Sequence, residues 1–119
     1  MNGRAKILVV EDEALIAMEL GERLGDLGYD VLGPAMTLDE ADRLVADMKP
    51  DAALLDANLN GKSSVDLGAK LAAMGVPVAF CTGYDVIKNL PPALARATIL
   101  TKPISEDALA SAVRAMLSR

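Results

Sequence analysis

The stretch "AALLDANLNG", residues 52–61, places four apolar residues directly before a carboxylate, Asp56. A short apolar run bounded by turn residues reads as a strand buried on both faces. Asn58, Asn60 and Gly61 then belong to a loop. An ionisable side chain at the point where a core strand runs out needs a chemical reason.

Outward from this stretch the chain alternates short apolar runs with longer amphipathic ones. Residues 5–10, "AKILVV", read as a first buried strand rich in β-branched side chains. Leu15, Ile16, Leu20, Leu24 and Leu27 recur at helical spacing, and Gly28 supplies the stop. Residues 29–32 form a weaker second strand ending at Gly33-Pro34, and Thr37 caps a helix running to about Met48. Pro50 and Asp51 open the third strand. A helix from about Ser64 to Met74 follows, ending at Gly75, and residues 76–80 are the fourth strand. Pro91 and Pro92 interrupt any helix within 84–97, residues 98–100 are a fifth strand, and Ser105 caps a last amphipathic helix. A strand-helix order repeated five times predicts an α/β domain over residues 1–119. Its expected form is a five-stranded parallel sheet with helices on both faces.

Composition narrows the chemistry. The chain has 119 residues, 52% hydrophobic but only 3% aromatic, so its core is aliphatic. No apolar run approaches the roughly 20 residues of a membrane span. The single cysteine, Cys81, cannot form an internal disulfide, which points to a reducing, cytoplasmic setting. A net charge of −5 argues against nucleic acid or an anionic membrane as partner. Histidine is absent, which removes Ser-His and Cys-His nucleophile pairs, His-ligated metals and phosphohistidine on this chain.

In a parallel sheet of this kind, ligands bind beyond the carboxyl ends of the strands. Glu11 and Asp12 follow the first strand, Asp56 ends the third, Thr82 follows the fourth and Lys102 the fifth. Three converging carboxylates repel unless compensated, and a hard divalent cation, Mg²⁺, suits oxygen ligands completed by water and phosphate. Lys102 adds a fixed positive charge and Thr82 a hydrogen-bond donor. An Asp can itself be the nucleophile in phosphoryl transfer, forming an acyl phosphate. Any one of these residues could be a helix cap or a solvated loop side chain. Four strand ends with compatible chemistry make a socket for a phosphoryl group on Asp56. "GKSS", residues 61–64, lacks the first glycine of a phosphate-binding P-loop because position 56 is Asp. "GERLGDLG", residues 21–28, lacks dinucleotide-fingerprint spacing.

Over essentially its whole length the chain resembles the receiver domain of bacterial two-component response regulators. "ILVVEDE" resembles the first strand with its acidic pair, "LLDANLNG" the phosphoacceptor segment, "FCTGY" the fourth-strand Ser/Thr and "LTKP" the lysine segment. The resemblance implies a (βα)5 flavodoxin-like receiver fold with Asp56 as phosphoacceptor. It also implies Mg²⁺ held by Asp12, Asp56 and the backbone carbonyl of Asn58, with Glu11 acting through water. Thr82 and Lys102 would hold the phosphoryl oxygens, and the Lys102-Pro103 peptide would be cis. Asn60 stands where many receivers carry Pro, and Ile99 where many carry the aromatic that swings inward on activation. "PVAFCTGY", residues 77–84, is similar to the Phe-Ala-Thr-Gly-Tyr subgroup of single-domain alphaproteobacterial receivers, with Cys81 replacing Ala.

The implied function is a phosphoacceptor receiver in a phosphorelay, without an output domain and not itself an enzyme beyond slow self-dephosphorylation. Its implied partners are a histidine kinase or histidine phosphotransfer protein and a downstream protein target. One alternative is a haloacid-dehalogenase-like phosphatase, but that chemistry wants a second Asp at position 58, which is Asn. The other is a pseudo-receiver that binds partners without phosphorylation. With Ile99 in place of the aromatic, residues 83–97 are expected to be mobile in the free protein and to order on phosphorylation, Tyr84 being the aromatic placed to respond.

Overall fold

Alternation along the first strand builds the molecule. In β1 (Lys6–Val10), Leu8 and Val10 face one side of the sheet while Ile7 and Val9 face the other, and all four are buried. A strand apolar on both faces must be covered on both. A computed structural model describes residues 4–83 and 87–118. It contains β1, α1 (Ala14–Asp26), β2 (Asp30–Ala35), α2 (Leu38–Asp47), β3 (Ala52–Asp56), a hairpin of β4 (Asn58–Leu59) and β5 (Lys62–Ser63), α3 (Val65–Ala73), β6 (Val78–Thr82), β7 (Thr98–Thr101) and α4 (Glu106–Leu117).

The main sheet runs β2-β1-β3-β6-β7 with every pairing parallel. One core layer gathers Leu8, Val10, Leu55 and Phe80 beneath Ala41 and Val45 of α2 and Leu67 and Leu71 of α3. The other gathers Ile7, Val9 and Leu54 beneath Leu20 and Leu24 of α1 and Leu109, Val113 and Met116 of α4. Helices therefore cover both faces, as the sequence predicts. The order of strands reverses between β1 and β3, so the crevice at their carboxyl ends is the switch point of the fold.

Two caps fall where the sequence puts them. Thr37 accepts from the Glu40 amide and Ser105 from the Ala108 amide, each at 3.1 Å. Three local features differ from expectation. β2 does not stop at Leu32 but continues through a cis Gly33-Pro34 peptide to Ala35. At a sheet edge a proline leaves no ladder bond unmade. Gly33 itself has φ +103°, and a Cβ there would lie 2.6 Å from the Ala35 nitrogen, so only glycine fits.

The second difference is the β4–β5 hairpin, where a plain loop was expected. Asn60 and Gly61 take φ of 51° and 86°, the left-handed pair that a two-residue Asn-Gly turn requires. Third, four α-helices are present among the described residues, and β6 leads to β7 through a 3-10 turn at Pro92–Leu94. Pro91 and Pro92 supply no amide hydrogens to a helix, and Asn89 is left-handed at φ 61°. Tyr84, expected to respond to phosphorylation, lies outside the described residues.

Candidate functional site

The carboxyl ends of β1 and β3 bring Glu11, Asp12 and Asp56 together, with one carboxylate oxygen from each lying within 4.8 Å of the others. Glu11 is 1% exposed although it is an acid, and Asp56 is also buried. Lys102, on the residue after β7, reaches into this cluster. Its ammonium donates to Glu11 Oε1 at 2.9 Å and to Asp56 Oδ2 at 3.2 Å. The Lys102 amide is fixed by Thr82 O at 2.7 Å, and the peptide to Pro103 is cis, as the resemblance implies.

Thr82 ends β6, one register position beyond Cys81, which stands opposite Asp56. Thr82 is buried. The Asn58 amide donates to Asp56 Oδ1 at 3.1 Å, while the Asn58 side-chain oxygen turns away to accept from Gly61 at 2.7 Å. Asp12 accepts from the Asn60 amide at 3.0 Å, a bond that the proline common at this position could not supply. Glu11 Oε2 accepts from the Glu13 amide at 3.1 Å, so part of the acidic pair also serves the start of α1.

The electrostatics follow from crowding. Burial raises the Glu11 pKa above its ordinary value. The Lys102 hydrogen bond and the Glu13 amide pull it back, and the charge of Asp56 pushes it up again. Burial on its own would depress Lys102, but its hydrogen bond to Glu11 and the field of Asp56 outweigh this and leave its pKa raised. Cys81, behind Asp56, is pushed up to about 12, chiefly by burial, so it stays a thiol. One ammonium thus contacts two carboxylates of a cluster of three. A set of hard oxygen donors with surplus negative charge fits a divalent cation bound alongside Lys102.

Every predicted site residue lies at this end of the sheet. One residue that sequence reasoning passed over also belongs here. Ser64 is fully buried, and its hydroxyl donates to the main-chain oxygen of Asp56 at 2.7 Å. Its position in the sequence reads as a helix start, and nothing in its type or spacing announces a bond eight residues back.

Known proteins share the family and the fold. The sequence profile of the response regulator receiver domain matches residues 7–114. The transcriptional regulatory protein PdtaR of Mycobacterium tuberculosis is 32% identical over 118 residues, an alignment covering 96% of this chain and 57% of PdtaR. The PhyR response regulator REC domain of Erythrobacter litoralis superposes with a TM-score of 0.82 at 31% identity, covering 98% of this chain and 92% of that one. SdrG from Sphingomonas melonis Fr1 superposes with a TM-score of 0.80 at 37% identity, covering 98% and 99%. The alignments span 57% of PdtaR and 45% of the positive alginate biosynthesis regulatory protein of Pseudomonas aeruginosa, about half the length of these curated relatives.

Proposed function

Because this chain belongs to the response regulator receiver family, we propose that it takes a phosphoryl group onto Asp56 and thereby switches its binding to a protein partner. The donor is a histidine kinase or a histidine phosphotransfer protein. The observation that carries the assignment is the contact of one ammonium, that of Lys102, with the buried carboxylates of both Glu11 and Asp56.

In this reading a carboxylate oxygen of Asp56 attacks phosphorus. The phosphorus–nitrogen bond of the phosphohistidine breaks, and its electron pair returns to the imidazole. Asp56 is suited to this because it ends a rigid central strand and its other contacts, from Lys102 and the Asn58 amide, hold it in one orientation. Lys102 neutralises charge on the phosphoryl oxygens, and the Thr82 hydroxyl donates to one of them. Asp12, Asp56 and the main-chain carbonyl of Asn58 would hold Mg²⁺, with Glu11 supporting it through water. When bound, the ion supplies positive charge against the equatorial oxygens.

The phosphatase alternative lacks its general acid/base, since position 58 is Asn. The chain is expected to hold its phosphoryl group and turn it over slowly. Incubation with a panel of purified, autophosphorylated histidine kinases should move label to this chain from at least one of them. Rapid multiple-turnover hydrolysis of p-nitrophenyl phosphate with no transfer from any kinase would contradict the proposal.

A further inference from the structure

A serine at the first position of a helix ordinarily accepts a hydrogen bond from an amide two or three residues on. Ser64 holds that position for α3, yet its side chain makes no such cap. The cap has moved back one residue: the exposed Ser63 hydroxyl accepts from the Val65 amide at 3.1 Å. The Ser64 hydroxyl instead points into the protein and donates to the main-chain oxygen of Asp56 at 2.7 Å. The Ser64 amide donates to the next carbonyl, that of Ala57, at 3.2 Å. One fully buried residue therefore grips two consecutive carbonyls at the end of β3.

Those two peptides connect everything the site needs from this strand. The first carries Asp56. The second leads into Asn58, whose amide binds the Asp56 carboxylate. Ser64 is itself held firmly, because its carbonyl accepts from the Gly68 amide at 3.0 Å. Gly68 in turn packs directly against buried Phe80, at a distance that leaves no room for a Cβ. The hydroxyl thus ties the end of β3 to a helix that is locked onto the sheet. Without it, the peptide after Asp56 keeps the bond from the Ala57 amide to Cys81 O at 2.9 Å but loses the one made to its own carbonyl.

We infer that Ser64 is a positioning residue for phosphorylation of Asp56, its hydroxyl fixing the main chain at Asp56 and so the direction of the carboxylate. This deepens the proposed function and rests on Asp56 being the phosphoacceptor. Misplacing a reacting group by about 1 Å can cost on the order of a hundredfold in rate, and a restraint one bond removed from the side chain should account for about tenfold.

The test uses phosphoramidate as donor, with saturating Mg²⁺ and intact-mass detection on the full chain. The new oxygen–phosphorus bond to Asp56 forms as the phosphorus–nitrogen bond breaks and ammonia leaves. Ser64→Ala should lower the maximal labelling rate about tenfold and leave the half-saturating phosphoramidate concentration within about twofold of the wild-type value. Ser63→Ala is the matched control. It removes the helix cap next door, a loss of stability of the same kind, and should label at the wild-type rate. Amide spectra establish that both variants are folded. Should Ser64→Ala not fold, Ser64→Cys, which leaves only a weaker donor in place, must still label more slowly than the wild type, and a wild-type rate overturns the inference. Equal rates for folded Ser64 and Ser63 variants overturn the inference. Asp56→Asn runs in parallel: if it labels like the wild type, the reading of the site has failed. If Asp56→Asn is silent while the Ser64 variant labels normally, only the role of Ser64 has failed.

Discussion

Replacing Lys102 with Met in the metal-free chain should destabilise it strongly at about pH 8 and hardly at all near the ordinary carboxyl pKa. Glu11 is 1% exposed, and the Lys102 ammonium 2.9 Å away is its charge partner. Deleting one partner of a buried ion pair costs about 3–5 kcal/mol. Here the Lys102 side chain is 25% exposed and that of Asp56 is 11% exposed, so water reaches the cluster and the lower end applies. At about 4 °C per kcal/mol for a domain of this size, the midpoint Tm should drop by about 12 °C.

The pH dependence follows from Glu11, whose folded pKa is raised above 4.5, first of all by burial. A carboxyl raised in the fold favours the folded state below its unfolded pKa, and that contribution is lost as pH climbs through the folded value. Removing Lys102 takes away the hydrogen bond that opposes the rise, so the folded value moves further up and the loss at alkaline pH grows. Near pH 4.5 Glu11 is increasingly protonated in the folded variant and needs no cation, so wild type and variant should converge. Lys102, with its pKa raised above 10.5, is charged at both pH values and does not blur the comparison. Thermal unfolding in EDTA at both pH values reads this directly, and Glu11→Gln in the Lys102→Met background should recover most of the loss. An equal drop at both pH values would mean that Glu11 does not depend on Lys102 for its charge.

Gly33→Ala should cost about 2–3 kcal/mol in denaturant unfolding, because φ is +103° and the new Cβ meets the Ala35 nitrogen at 2.6 Å; a neutral result would mean the edge of β2 repacks freely. Gly68→Ala gains about 1 kcal/mol of helix propensity but puts a Cβ 2.7 Å from Phe80 Cζ in a fully buried position, a clash of about 1–3 kcal/mol, so net destabilisation is expected. Phe80→Leu should relieve it, and a stabilised Gly68→Ala would contradict the packing. Cys81 is 2% exposed with its pKa pushed up to about 12, so a disulfide reagent should react only as fast as the sheet opens. Immediate reaction in native buffer would place the thiol elsewhere.

The fold was legible where one local rule governed. The apolar runs of β1 and β3 and the Thr37 and Ser105 caps depend on neighbours within four residues, and the structure has them where the sequence suggests. It was less legible where two rules competed. Gly33-Pro34 looked like a strand end because proline ends most strands, yet β2 lies at an edge, which only the assembled sheet reveals. Asn60-Gly61 carries a hairpin signature, but two-residue strands on either side are too short for a periodic pattern to show. The site residues were legible because each sits at a strand end, and strand order converts sequence positions into one crevice. Ser64 was not, since its hydroxyl makes a long-range bond in place of the local cap its position suggests.

In the proposed function Asp56 receives the phosphoryl group. The direct measurement is site-resolved mass spectrometry of the chain after labelling by an autophosphorylated histidine kinase or phosphoramidate, with Mg²⁺ and with EDTA, for wild type and Asp56→Asn. One phosphoryl group is expected on the wild-type chain, located at Asp56, absent in EDTA and absent from Asp56→Asn. A phosphoryl group retained by Asp56→Asn at the wild-type rate, or mapped to any other residue, would contradict it.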